Sequence, residues 1–319
     1  MLRVAFRDCN LGIPICHCTD GDLFDLRRLQ AATKVQTAII RDLLSADDCV
    51  LCALVAHTAA ALQTLFTQFI NTAKCFGLTF SLKKTETMSQ SYPLSPASTV
   101  TVMAGESQLT AVNRFCYLGS YLSNTISVDN DIESRLAKAG DAFGKLQPGL
   151  WGEHSVALLT KIAVYQAVVL STLLYGCESW VLYRRSVRRL DEFHMRCLRK
   201  IAGIKWQDRV PNTEVLCVCG ISGIEAFLVA AQLCWVGHVV RMEDDRIPKQ
   251  VFFGQLSSGK RPQCGPVRRY KDCLPILLSI SVFFFLLFLF STVSFPRCRL
   301  ILLMEVFDLI QNSISFHVV

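Results

Sequence analysis

Hydrophobic and polar positions fall into three regimes along the 319 residues. Up to residue 126 the apolar runs are short and broken by turn residues. "AIIRDLL" and "CVLCALV" read as two strands, with Ala46-Asp47-Asp48 at the tip between them. From His57 to Cys75, Ala60, Leu62, Leu65, Phe66, Phe69 and Ile70 recur at helical spacing, and Gly77 stops the helix. "LTFSLKKTETM" alternates like a strand, and "YPLSPAS" reads as a linker. "TVTVMAGESQLTAV" predicts a hairpin turning at Gly105-Glu106, and "RFCYLGSYL" a further strand. From Ser127, taken as an N-cap with Asp129 and Asp131 in the first turn, the period becomes helical. The predicted helices span 128–147, 155–183, 186–202, 212–219 and 223–242, with breaks at Pro148-Gly149, Gly203 and Pro211. Residues 243–274 are polar, carry Pro and Gly, and read as an irregular arm. The pattern is that of an α+β chain: a small α/β unit over 1–126, a helical unit over 127–242, the arm, and a hydrophobic tail over 275–319.

The tail changes how the composition is read. Hydrophobic residues make up 51% of the chain and the mean hydropathy is +0.36. Most of that excess lies after Pro275, where "ILLSISVFFFLLFLFSTVSF" (276–295) is long enough to cross a bilayer. Two explanations stand. One is a single membrane span, with the larger basic flank (Arg268, Arg269, Lys271) facing the cytosol. The other is translation of pyrimidine-rich non-coding DNA, since Phe, Leu, Ile and Val codons all have T in the middle.

The net charge of +7 resides in the first 274 residues, because Arg297 and Arg299 in the tail are balanced by Glu305 and Asp308. A basic globular part points to an anionic partner, most commonly nucleic acid. Arg185, Arg188, Arg189, Arg196, Arg199 and Lys200 cluster on one predicted helix, "YRRSVRRLDEFHMRCLRK". Arg185, Arg189, Arg196 and Arg199 fall near one face, which suits phosphate contacts along a nucleic-acid backbone. The alternative is a solvated helix face. "GKRPQCGPVRRYK" (259–271) reads as a second basic segment, either a tether or a nucleic-acid arm. The 15 cysteines are scattered, and the chain opens without a secretory leader, so they read as reduced thiols. Cys217, Cys219, Cys234 and His238 do not have the usual zinc spacing and read as core thiols; Cys16-His17-Cys18 and Cys49-x2-Cys52 are weaker still. Trp180 and Trp206 are predicted in the core, and His194 on the surface.

Two adjacent carboxylates at a tight turn are most often a solvated loop. The order of the surrounding motifs tells more. "SADDCVL", a helix, "FGLTFSLKKTE" and "FCYLGSYLS" resemble the palm of LINE-type (non-LTR) retrotransposon reverse transcriptases. "LLYGCESW", "CLRKIAGIKWQDRVPNTEVL" and "QLCWVGHVVRM" resemble the thumb and carboxy-terminal region of the same elements. The resemblance covers about residues 4–273. It implies an incomplete palm, a small antiparallel sheet plus a helix, followed by a helical thumb. It implies RNA-directed DNA synthesis from deoxynucleotides, with Asp47 and Asp48 holding Mg²⁺ and Lys84 near the incoming nucleotide. It makes Tyr117, Leu118 and Gly119 the primer-grip turn, and places the protein in the cytoplasm or nucleus, or at a membrane if 276–295 inserts.

Two departures accompany the resemblance. Ser45 stands where the family carries an aromatic residue. The family's strand bearing the partner aspartate lies upstream of the hairpin, while only 46 residues precede Asp47 here; Asp20, Asp22, Asp25 and Asp42 lie in the segment that follows that strand. Two-metal chemistry needs that further carboxylate. The chain is therefore expected to be a truncated remnant, inactive alone, that retains weak RNA or DNA binding. The alternative expectation is a single-span membrane protein with a relic soluble domain.

Overall fold

Short alternating segments build strands in the first part of the chain, and a 3.6-residue period builds helices in the second. The computed structural model describes residues 6, 11–17, 35–45, 48–52, 58–79, 81–89, 101–125, 127–256 and 270. The tail, the linker at 92–98 and the segment 257–269 lie outside the described residues. The chain is α+β and divides into two units. One holds the described residues up to Ser127 together with Met242–Leu256; the other holds Val128–Arg241.

In the first unit, β1 (Ile13–His17) pairs antiparallel with β2 (Gln36–Ile40). The hairpin β3 (Asp42–Ser45) and β4 (Asp48–Leu51) follows, in the register Ser45 to Asp48 and Asp42 to Leu51. Helix α1 (Thr58–Cys75) lies against β4 through its apolar face. Leu65 and Phe69 pack with Phe6, Cys49 and Leu51, and Phe66 packs with Val102, Leu109 and Leu51. Phe6 and Phe69 stack at 6.4 Å, and Arg41 donates to the Phe6 carbonyl at 2.6 Å. Gly77, at φ +71°, ends α1 in the left-handed conformation that only glycine adopts cheaply. Ala60, read as apolar face, is exposed.

Beyond α1 the predicted strand "LTFSLKKTETM" does not form over its length. Leu82–Lys84 is a 3₁₀ turn, and β5 is the two residues Glu86–Thr87, parallel to β8 (Thr110–Ala111). Between them β6 (Met103–Ala104) and β7 (Ser107–Gln108) make the hairpin turning at Gly105-Glu106. The Gln63 side chain braces it, accepting from the Met103 N–H at 2.7 Å and donating to the Met103 carbonyl at 2.8 Å. The single strand predicted over "RFCYLGSYL" is a hairpin, β9 (Arg114–Tyr117) and β10 (Ser120–Ser123). Its two central residues, Leu118 at φ +48° and Gly119 at φ +82°, form the tight turn whose twist matches paired strands.

The second unit is helical: α2 (Asp129–Lys145), α3 (Leu158–Leu173), α4 (Arg184–Ala202), α5 (Asn212–Cys219) and α6 (Ile224–Arg241). Ser127 does not cap α2; Val128 precedes the helix and no side chain caps it. The predicted 155–183 helix ends early, because Gly176 at φ +77° breaks it before a 3₁₀ turn at Cys177–Ser179. The core contains Ile132, Tyr165, Leu173, Leu190, Leu198, Val215 and Ile224, all fully buried. Trp180 is core, as expected. Its indole N–H donates to Asp131 at 2.9 Å and its carbonyl accepts from Gln232 at 2.9 Å. α6 is apolar enough to span a membrane by length and composition, yet here it buries Leu228, Gln232 and Leu233 in this helical unit.

Two expectations are corrected by burial. Trp206 is 83% exposed rather than core. His194 is fully buried rather than on the surface: α4 turns Leu190, Phe193, His194, Cys197, Leu198 and Ile201 inward on one stripe, and His194 falls inside it. Its Nε2 faces the Ser222 carbonyl at 3.2 Å, which makes Nε2 the donor. Nδ1 then accepts from the Tyr165 hydroxyl at 2.8 Å. The arm is corrected as well. Within 243–274, Ile247–Phe253 forms α7 and Gln255–Leu256 forms β11, which pairs with β1 opposite Ile15 and Cys16.

Burial pushes the His194 pKa below its ordinary 6.5, partly opposed by the Ser222 carbonyl and Asp191. The unfolded chain therefore takes up a proton near pH 6.5 that the folded chain refuses, so stability is full above that value and shrinks as pH falls below it. Chemical denaturation should show stability level from pH 7 to 8 and falling below pH 6.5 by up to about 1.4 kcal/mol per pH unit. That slope should be smaller in His194→Gln.

Candidate nucleic-acid interface

Helix α4 forms because its sequence separates by face. Over Arg184–Ala202 it carries seven basic residues against Asp191 and Glu192, and the apolar stripe described above turns the charges outward. Arg188, Arg196 and Lys200 are exposed and make no ion pair or side-chain hydrogen bond among the described residues. Arg185 and Arg189 are engaged from α2: Arg185 pairs with Asp129 at 2.6 Å and Arg189 with Glu133 at 3.3 Å. Each pair has one exposed and one half-buried member, with the Arg185 side chain at 72% and Glu133 at 58%, so each is worth about 1 kcal/mol or less and a phosphate can compete for the arginine. Between α2 and α4 lies a cavity of about 420 Å³ lined by Leu136, Ala137, Gly140, Arg189, Glu192, Phe193 and Arg196.

Arg199 differs. Its guanidinium donates to the Val210 carbonyl at 2.8 Å and to Asn212 Oδ1 at 2.7 Å. It is therefore a structural clamp, closing the loop between α4 and α5. The helical period puts it near the same face as Arg185, Arg189 and Arg196, but the period carries no information about a partner eleven residues on.

In the first unit, the carboxylate hairpin has Ser45 paired with Asp48. Asp47 lies outside the described residues and Asp48 is described in its backbone alone. Asp42 sits at the other end of the hairpin opposite Leu51. Burial raises its pKa while Arg41 opposes the rise. About 10 Å of strand separates it from Ser45, so it is no third carboxylate for an ion at the tip. Among the described residues no three His, Cys, Asp or Glu side chains converge on a metal position. Lys84 is exposed on its 3₁₀ turn. Tyr117, at the end of β9, donates through its hydroxyl to the Leu43 carbonyl of β3 at 3.5 Å. The hairpin read as primer grip and the hairpin read as catalytic thus touch.

The thiols divide by burial. Cys177, Cys197 and Cys219 are buried, whereas Cys217 and Cys234, read as core, are exposed. Burial pushes Cys177 and Cys197 up to about 12 and Cys49 to about 11, which leaves them unreactive thiols at neutral pH. On β1, His17 is buried and Cys16 half-buried, on opposite faces as strand alternation requires.

The chain is similar to an uncharacterized transposon-derived protein of Caenorhabditis elegans. The two are 25% identical over 224 residues, 65% of this chain and 74% of the relative. That similarity points to a transposon-related origin. No protein-family model matches the chain, and no solved structure matches it.

The division within α4 has a measurable consequence. Arg199→Gln, which removes hydrogen bonds from a charged donor, should lower stability by about 1.5–3 kcal/mol. Arg188→Gln and Arg196→Gln should each stay within about 0.5 kcal/mol of the parent. Urea denaturation of the three variants checks this.

Proposed function

We propose that this chain derives from the palm and thumb of a LINE-type reverse transcriptase and acts as a nucleic-acid-binding protein that does not extend a primer. The observation that carries the binding role is the outward cationic face of α4, where Arg188, Arg196 and Lys200 stand exposed and unpaired among the described residues. Arg185 and Arg189 sit beside them in weak, displaceable ion pairs.

Three features support the lineage. The relative is transposon-derived. The motifs "SADDCVL", "FGLTFSLKKTE" and "FCYLGSYLS" occur in the family's order. The Tyr117 hydroxyl reaches the strand leading into the Asp47-Asp48 tip, as a primer-holding turn beside a catalytic hairpin would. In such a polymerase Asp47 and Asp48 would hold Mg²⁺, and the ion would supply charge neutralisation at the transferring phosphate. Ser45 replaces the aromatic neighbour of that pair, and Asp42 does not supply its third carboxylate. Both features favour binding without synthesis.

Mechanistically, the bound strand gains affinity by releasing counterions from the phosphates that α4 neutralises. Little sequence preference is expected, since phosphate contacts carry no base information. The chain should bind single-stranded RNA and DNA with an affinity that falls steeply with salt. Replacing Arg188, Arg196 and Lys200 together by Gln should reduce the slope of log K against log salt by about two. An unchanged slope in the triple variant would place binding elsewhere. Primer extension on an RNA template that is abolished by Asp47→Asn would contradict binding without synthesis.

A further inference from the structure

Trp206 is the most exposed of the large apolar side chains described, at 83%, while Trp151 and Trp180 are 4% and 3% exposed. It does not hang on a loose segment. Gly203, at φ +71°, ends α4, and the Ile204 N–H returns to the Arg199 carbonyl at 2.9 Å. Trp206–Asp208 is a 3₁₀ turn. The Lys205 N–H donates to the Asp208 carboxylate at 2.7 Å, and the Asp208 N–H to the Lys205 carbonyl at 3.1 Å. Arg209 leaves the turn at φ +51°, one of two non-glycine residues described at positive φ. The Arg199 guanidinium then seizes Val210 and Asn212. Arg199 thus closes the loop from both sides, its carbonyl holding the entry and its guanidinium the exit.

The neighbours of the ring indicate what it meets. Lys205, Gln207, Asp208 and Arg209 are all exposed and polar. A protein hot spot is ringed by packed contacts that exclude water, and no apolar rim surrounds this indole in the sequence of its own turn. Lys205 and Arg209 flank it, Lys200 lies just before the glycine, and the Asp208 carboxylate is already occupied by a backbone donor. A flat aromatic face carried among cations on a braced turn fits a base with phosphates on both sides, because every base offers a π-face and stacking is tolerant of sequence.

We propose that Trp206 is a stacking platform for an unpaired base of single-stranded RNA or DNA, extending the cationic face of α4 around its carboxy-terminal end. Lys200, Lys205 and Arg209 meet the phosphates of the same strand. The platform rests on the nucleic-acid-binding function above and adds a contact that charge alone does not provide.

The test is fluorescence anisotropy of the full 319-residue chain with two labelled strands of equal length and charge, oligothymidylate and a fully abasic counterpart. The parent chain should bind the thymidylate about tenfold more tightly. Trp206→Ala should bind both equally, Trp206→Phe should keep most of the preference, and the salt slope should be the same in all three. Equal binding of the two strands by the parent, or a preference that survives Trp206→Ala, would overturn the platform while leaving the electrostatic function standing. Binding of neither strand would overturn both.

Discussion

The hydrogen bond from the Tyr165 hydroxyl to His194 Nδ1 is the constraint on which the helical unit depends. A fully buried imidazole is costly unless both nitrogens are satisfied. Here one accepts from α3 and the other donates to the Ser222 carbonyl just ahead of α6. Meeting both requirements fixes the rotation of α4 about its own axis. Once His194 points inward, Leu190, Cys197 and Leu198 follow it into the core, and the basic residues have nowhere to go but outward. Phe227 meets the imidazole in a T-shaped arrangement at 6.5 Å, so α6 reads the same rotation.

That rotation sorts the basic residues by what lies opposite. Arg185 and Arg189 meet acidic side chains of α2, Arg199 meets backbone beyond the helix end, and Arg188, Arg196 and Lys200 meet solvent. A residue's charge is written in the sequence, but its availability is not. Asp129 and Glu133 lie 56 residues before their partners, and no local pattern announces the pairing. The same limit explains His194. Helical spacing places it between Leu190 and Leu198 on the inner stripe, yet an average histidine sits at the surface, and only the distant Tyr165 and Ser222 make its burial tolerable.

Local chemistry was the legible part. Gly77, Gly105, Gly176, Gly203 and Gly220 all adopt positive φ at helix ends or turns, where glycine is the expected punctuation. Of these, Gly176 lies inside a long apolar run whose helical period continues past the true helix end. The α+β division and the helix at 58–75 followed from periodicity. Pairings across long separations did not: β11 joins β1 near the opposite end of the described chain. Over "YLGS" residue preference alone gives a strand, because tyrosine and leucine favour strands, whereas the family resemblance implies the turn at Tyr117-Leu118-Gly119 that the β9–β10 hairpin contains. Residue type alone predicts Trp206 in the core, whereas Lys205, Asp208 and Arg209 around it make a polar, exposed turn.

The central claim is that nucleic acid meets this chain along the outer face of α4 and the turn that follows it. Ultraviolet crosslinking of a 5-iodouridine-substituted single strand to the full chain, with crosslinked peptides identified by mass spectrometry, tests that claim most directly. The account predicts adducts in peptides from Arg188 to Arg209, centred on the α4 carboxy-terminal half and Trp206. Adducts confined to residues before Ser127, with none on α4 or its following turn, would contradict it.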